Sequence, residues 1–245
     1  MISSGRGRLS GAAALLIVGM ICSQTRVGAE AVGSPSSILK KKQWAMGLRG
    51  GSLLNRGLDN GAEASVYRLG HVRGYGLTDW LSLYGTIGWA HVAIEDASII
   101  KRNDPSTNNS FGHNVLANAQ LKGKLWQHPR TGLEWDGSMQ FAYLGGRHKG
   151  KNEVRWNEWQ LSTSLAKPIG RVTPYVGVKL SLIHAKTWVR QDGEVVRQLT
   201  YRQDGLIGPF IGSDIHFGTE EHAVINVEGS YLDGAEVDVA VSYLF

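Results

Sequence analysis

Cysteine is almost missing from this 245-residue chain, which has one, Cys22. That rules out a disulfide framework and any cysteine-rich metal site. Charge of one sign is also missing. Lys and Arg number 26 against 21 Asp and Glu, a formal net charge of +5. Arg6, Arg8 and Arg26 carry part of that excess, in a segment expected to be removed. No basic helix, zinc-ligand set or basic aromatic-stacking motif is present, so no nucleic-acid partner is expected. Long hydrophobic runs are missing as well. The longest, Gly11 to Ile21, is shorter than the roughly 20 residues a spanning helix needs. Proline is scarce, with six residues, while glycine is abundant, with 32. Glycine recurs inside apolar-alternating segments, as it does in strands that curve or pack closely.

The N-terminus reads as an export signal. Arg6 and Arg8 precede the apolar run; a polar stretch follows, then Ala29-Glu30-Ala31. This order is that of a secretory signal peptide with an A-x-A cleavage site. The division expected is a signal peptide over residues 1–31 and a β-barrel domain over 32–245, with Ala29 and Ala31 the small residues of the cleavage site and the cut after Ala31 placing the mature start at Val32. The mature chain then has no thiol, which fits an oxidising compartment.

The remainder has period two rather than 3.6. Leu133 to Tyr143 alternates cleanly, as do Leu81 to Trp89, Trp159 to Leu165 and Ala223 to Tyr231. Ten strands are expected, near residues 43–50, 63–75, 81–94, 113–125, 132–147, 154–166, 173–188, 205–217, 222–231 and 236–245. The first two are the least regular. Short connections fall at Leu77–Trp80, Trp126–Thr131, Pro168–Arg171 and Gly218–Glu221. Longer polar ones fall at Gly51–Ala62, Asp96–Gly112, Lys149–Glu153 and Val189–Asp204, with Leu232–Ala235 a short exception. Short turns on one side and long loops on the other are the pattern of a transmembrane barrel. The fold class expected is all-β, a transmembrane antiparallel up-and-down β-barrel of ten strands, with eight to twelve within reach of the same pattern.

Alternation also fits a soluble barrel, so the faces matter. Pairing across Trp126–Thr131 sets Leu125 against Leu133, Gly123 against Trp135, Ala119 against Met139 and Ala117 against Phe141. The other face then pairs Lys124 with Glu134 and Lys122 with Asp136. One register makes one face apolar and the other polar with matched charge, so these two pairs are expected as lumen ion pairs. In the last hairpin the same logic sets Tyr231 against Val237, Val227 against Val241 and Ile225 against Tyr243. Strand-end aromatics, Trp89, Trp135, Tyr143, Tyr231, Tyr243 and Phe245, suit interfacial girdles and favour an apolar face turned to lipid.

The final strand, Glu236 to Phe245, alternates with Val237, Val239, Val241, Tyr243 and Phe245 on one face and ends on an aromatic carboxyl terminus. It resembles the C-terminal signature of Gram-negative outer-membrane β-barrels. Tyr75 to Trp89 ("YGLTDWLSLYGTIGW") and Thr173 to Leu182 ("TPYVGVKLSL") are similar to segments of the small OmpA-like and opacity-like barrels. The resemblance covers about residues 43–245. It implies an outer-membrane location and a role for Val237, Val239, Val241, Tyr243 and Phe245 as the signal read by the barrel-assembly machinery. It also implies contact with outer-membrane lipid and lipopolysaccharide. The peptidoglycan-binding domain of some relatives is expected to be absent. Pro209 inside a strand suggests a bulge.

Some small outer-membrane barrels are enzymes, so catalytic sets need weighing. Asp214-Ile215-His216 has the Asp-x-His spacing of omptin-type proteases, which puts both side chains on one strand face. The expected topology puts the pair near the periplasmic rim, and no second acidic pair accompanies it. His184 and His113-Asn114 lack the His-x-Ser of outer-membrane lipases. Glu134 with Asp136 could be a carboxylate pair, but the facing lysines argue for ion pairing. No compact metal-ligand cluster appears. The expectation is therefore no catalytic site, no cofactor and no metal. A monomeric structural or surface-interaction barrel, or one with a narrow passive pore, comes first. A barrel enzyme acting on lipid A, phospholipid or peptide, and a soluble periplasmic barrel binding a small apolar ligand, are the alternatives.

Overall fold

The computed structural model describes residues 38–95, 110–146, 152–191, 194–203, 206–218 and 222–245. The expected signal peptide and its Ala29 and Ala31 lie outside the described residues. Eleven strands run in chain order: β1 (Trp44–Leu58), β2 (Ala62–Thr78), β3 (Leu81–Glu95), β4 (Ser110–Gln127), β5 (Glu134–Gly145), β6 (Glu153–Ala166), β7 (Val172–Gln191), β8 (Glu194–Arg202), β9 (Ile207–Phe217), β10 (Ala223–Tyr231) and β11 (Ala235–Leu244). All pairings are antiparallel. Each strand from β1 to β7 pairs with the next, β7 pairs with β9, then β10 and β11 follow, and β11 returns to β1. Ten strands thus close a barrel. A closed ring leaves no unpaired edge, which lipid could not satisfy. The seam is sealed at the bottom by the chain end itself. Trp44 N donates to Phe245 O at 2.8 Å and Phe245 N donates to Trp44 O at 3.0 Å.

Two expected loops turn out to be strand. Residues 51–58 continue β1, and only Asp59–Gly61 separates it from β2. Residues 194–202 are β8, paired to the upper part of β7 from His184↔Arg202 to Gln191↔Glu194. The lower part of β7 pairs with β9, from Leu180↔Ile207 down to Val172↔Ile215. β8 and β9 are therefore one descending strand with a short break. The break lies between Gln203 and Ile207, and the register runs through Pro209 without a shift, so the expected bulge is displaced upward from the proline.

This break changes the strand number with height. β10 and β11 end early, at a turn of Leu232–Gly234. Above it β1 shifts register between Leu53 and Arg56, with Asn55 at φ 52°, and its end passes over the turn. Gly57 N donates to Asp233 O at 2.8 Å, Leu58 bridges to Gln203, and Arg202 N donates to Asp59 Oδ1 at 2.9 Å. The lower storey is ringed by ten strands. The upper is ringed by β1 to β8 alone, closed where β1 meets the end of β8. Gly234 makes the step possible. Its φ is 156°, and a Cβ there would lie 2.8 Å from Leu54 O and Arg56 Cα, so glycine is needed where the turn tucks beneath β1.

The polarity of the wall inverts at the same level. In the lower storey large apolar side chains face outward: Leu48, Ile87, Val176, Leu182, Ile211 and Val227 are all exposed. Trp44, Trp80, Trp126, Trp135, Tyr243 and Phe245 flank the lower rim, and Trp89 and Trp159 mark the upper limit. This is a lipid-facing belt with aromatic girdles. The polar face turns inward, so the expected lipid-outward arrangement is the observed one and the soluble-barrel alternative does not fit. Arg73 and His71 interrupt the belt on β2, with Arg73 Nε donating to His71 Nε2 at 3.3 Å. Arg73 is one outward position above Tyr75, and its length lets the guanidinium reach toward the lower headgroups.

Above the belt the apolar residues switch faces. On β2 the inward positions Ala62, Ala64 and Val66 are buried, while Glu63 points out. Val92, Ile94, Phe111, Leu144, Val154, Trp156, Ile183 and Tyr201 join them in one packed core. The upper storey is built like a small soluble barrel standing on a membrane barrel.

Candidate functional site

The lumen is the place where polar groups converge. Its centre is Glu158 on β6. Arg68 Nη2 donates to Glu158 Oε2 at 2.9 Å, and Arg56 Nη2 lies 3.7 Å from Oε1. Ser181 Oγ donates to Oε1 at 2.9 Å, and Gln160 and Trp156 Nε1 add two further donors. Arg56 also donates to Leu232 O at 3.0 Å, tying this layer to the step between the storeys. The two arginine contacts to Glu158 run between strands that are not neighbours, β1 and β2 on one side and β6 on the other. They are chords through the lumen. Side chains fill the interior of a barrel this size.

A second chord lies lower. Lys179 on β7 bonds Glu236 on β11 and lies 3.9 Å from Glu228 on β10. Tyr175 OH donates to Glu228 Oε2 at 3.0 Å and accepts from Asn226 Nδ2 at 2.8 Å. Asn226 also bonds Asp214, and Arg49 Nε donates to Asp238 Oδ1 at 3.3 Å. Below this set is a small cavity of about 40 Å³ lined by Arg49, Tyr84, Gln120, Lys122, Asn226 and Ser242 among others. Leu39, from the segment before β1, is buried against Ala45, Val72 and Tyr84 beneath it, its N–H donating to Ser82 Oγ at 2.8 Å. From top to bottom the lumen holds an apolar core, two ionic chords, a small cavity and a leucine stopper.

The residues singled out from sequence occupy varied places. Lys124 Nζ donates to Glu134 Oε1 at 2.6 Å, near the bottom of the barrel, and Gln127 Nε2 donates to the same oxygen at 2.9 Å. The register is two residues from the expected one. Lys124 faces Asp136 and Lys122 faces Ser138. The expected Lys122–Asp136 pairing is therefore corrected: Lys122 Nζ lies 5.2 Å from the centre of the Tyr84 ring, and neither carboxylate oxygen of Asp136 accepts a hydrogen bond. The turn lies two residues further along the chain, with β4 running to Gln127 and β5 starting at Glu134, and a register shift between Lys124 and Trp126 brings Lys124 opposite Asp136. The last hairpin is shifted likewise, with Val227 facing Val239 and Tyr231 facing Ala235. A shift of two keeps every side chain on its face, so the faces survive although the partners change. Val237, Val241, Tyr243 and Phe245 are exposed on the outward face, and Val239 lies between them on that face, half-buried.

Asp214 and His216 both point inward low on β9, opposite Asn226 and Val224. Asp214 is fully buried and bonded to Asn226, far from the upper rim. His184 is on the outward face of β7, opposite Asn157 and Arg202. Asn114 donates to Phe111 O at 2.8 Å; the side chain of His113 lies outside the described residues. Glu134 and Asp136 share the lower lumen, where Asp136 faces Lys124 on one side and Ser164 on the other. Among the described residues no group of three or more His, Cys, Asp and Glu could hold a metal ion. Arg49, Arg56, Arg68, Lys179 and Glu236 are the network residues that strand-pattern reasoning missed. A signal existed on β2, where the apolar phase moves from even positions (Ala62, Ala64, Val66) to odd ones (Leu69, Tyr75, Leu77) and leaves Arg68 facing in.

No family model and no curated protein sequence matches this chain. Among solved structures it is similar to the outer-membrane protease OmpT from Escherichia coli, at 10% identity and a TM-score of 0.42, over 88% of this chain and 99% of that one. The transport unit of the autotransporter AIDA-I from Escherichia coli gives 11% identity and a TM-score of 0.43, over 87% and 92%. The attachment invasion locus protein Ail of Yersinia pestis gives 11% and 0.39, over 84% and 100%. All three are Gram-negative membrane barrels.

Proposed function

We propose that this outer-membrane β-barrel is a sealed, non-catalytic structural protein that holds a rigid, folded cap above the outer leaflet for contact with the cell's surroundings. The observation that carries the reading is the upper core. Trp156, Phe111, Leu144 and Ile94 are packed where an open channel would need a water-filled passage. A lumen filled first by apolar side chains and then by ionic chords has no continuous polar path for a solute. Catalysis would need a nucleophile or a poised acid–base pair beside a cleft. The buried Asp214 is bonded to Asn226, and the described cavity is too small for a peptide or acyl chain. In biogenesis, the outward face of Val237, Val239, Val241, Tyr243 and Phe245 is the surface offered to the assembly machinery.

The test uses refolded full-length protein in liposomes loaded with a small fluorescent solute, with lipid- and peptide-hydrolysis assays in parallel. Leakage equal to that of protein-free liposomes and no turnover are expected. Solute release that scales with protein, or hydrolysis above background, would overturn the reading.

A further inference from the structure

Just above the belt, on one side of the barrel, three cations stand together. Arg155 on β6 faces Lys186 on β7 directly, and Lys186 faces Thr200 on β8, two residues from Arg202. All three are exposed on the outward face. Like charges set directly opposite on a sheet repel one another. Among the described residues no carboxylate lies within ion-pair distance of any of them. Among the described residues the side chains of the three make one internal contact, Arg155 stacked on the Trp188 ring with its Cζ 5.1 Å from the ring centre, while the Asp59 carboxylate accepts from the backbone N–H of Arg202 at 2.9 Å. The stacking orients the guanidinium and leaves its hydrogen-bond donors unused.

The height of the cluster identifies its ligand. Arg155 is four residues above Trp159, and Lys186 four residues above Leu182, on strands where those two residues end the belt. Four residues are about 13 Å of strand, less once the tilt is allowed for. That is the level of the outer-leaflet headgroups, beyond the hydrocarbon. The far side of the barrel at this level is different: there Glu63 faces Glu95 across β2 and β3. An anion is therefore attracted to β6–β8 and repelled from β2–β3.

We infer that Arg155, Lys186 and Arg202 form a binding site for the phosphate groups of a phosphorylated outer-leaflet glycolipid, which fixes one lipid on the β6–β8 face. Planar guanidinium groups suit bidentate contact with phosphate, and the lysine between them supplies a further positive charge. Acyl chains of the same lipid would lie on Trp159, Leu182 and their neighbours below. The inference rests on the outward-facing cap proposed above, but not on the lumen being sealed.

The test uses the full chain refolded in detergent and three probes: bisphosphorylated lipid A, the same lipid with its phosphates removed, and inorganic phosphate. Retained lipid is measured by phosphorus or fatty-acid analysis after gel filtration. The wild type should retain phosphorylated lipid A and hold the dephosphorylated form at least tenfold less well. Excess inorganic phosphate should not displace it. The triple change Arg155→Gln, Lys186→Gln, Arg202→Gln should lose retention at least tenfold, while Glu63→Gln with Glu95→Gln should not weaken it. Thermal unfolding without lipid reports whether the triple variant is folded, and Lys186→Arg alone should keep binding. Equal retention of the dephosphorylated lipid, displacement by inorganic phosphate, or undiminished binding in the folded triple variant would each overturn the inference. A leaking liposome would instead speak against the sealed lumen and leave this site standing.

Discussion

Glu158→Ala is expected to destabilise the barrel by about 3–5 kcal/mol, the cost of stranding buried charge by removing its partner. Arg68 and Arg56 both converge on this carboxylate, at 2.9 Å and 3.7 Å, and all three side chains are buried. Without Glu158 two guanidinium groups would face each other in the lumen beneath an apolar core. Three neutral donors, on Ser181, Gln160 and Trp156, would lose their acceptor as well. The measurement is urea unfolding in liposomes, followed by tryptophan fluorescence. Removing an arginine in addition, as in Glu158→Ala with Arg68→Ala, should recover part of the loss, because one stranded charge is then gone. A double variant worse than the sum of the singles would mean that the network contributes packing rather than charge balance.

The second large effect tests which face meets lipid. Val227 lies midway along β10 and points outward among Ile211 and Val239 positions of the belt. Val227→Arg should cost roughly 2–4 kcal/mol, the penalty for a charge near the middle of the bilayer. Ala93→Arg introduces the same charge at an outward position on β3, but above the belt, beside Glu63 and Glu95. It should change stability by no more than about 0.5 kcal/mol, as ordinary surface substitutions do. The contrast between two outward positions is the signature of a wall that faces lipid below and water above. Equal penalties at both would mean that the belt extends to the upper rim.

The barrel itself was legible because period two persists through the chain and because face assignment survives a register error of two. The lipid face therefore follows from the sequence, whereas the Lys122–Asp136 pairing gives way to Lys122 opposite Ser138. Register in detail depends on where a turn falls and on bulges beside it: the connection after β4 lies two residues further along than the sequence pattern suggests, and the one after β10 is a residue shorter. The upper storey was hidden for another reason. On β2 the apolar phase reverses after Val66, and a reversal looks like irregularity when a single phase is expected. Residues 51–58, with two Gly, Ser, Asn and Arg, and residues 194–202, with Glu, Gln and two Arg, resemble loops, yet they pair as strands because each neighbours a strand already in place. The chords could not be read at all. Arg68 with Glu158 are 90 residues apart and on opposite walls, so closure of the ring decides their meeting rather than any local pattern.

Single-channel recording on the wild-type protein in planar bilayers addresses the sealed lumen most directly. With Trp156 and its neighbours filling the upper storey and Leu39 stopping the lower, no discrete current steps should appear at any moderate voltage. Large, steady, porin-like currents would contradict the two-storey account.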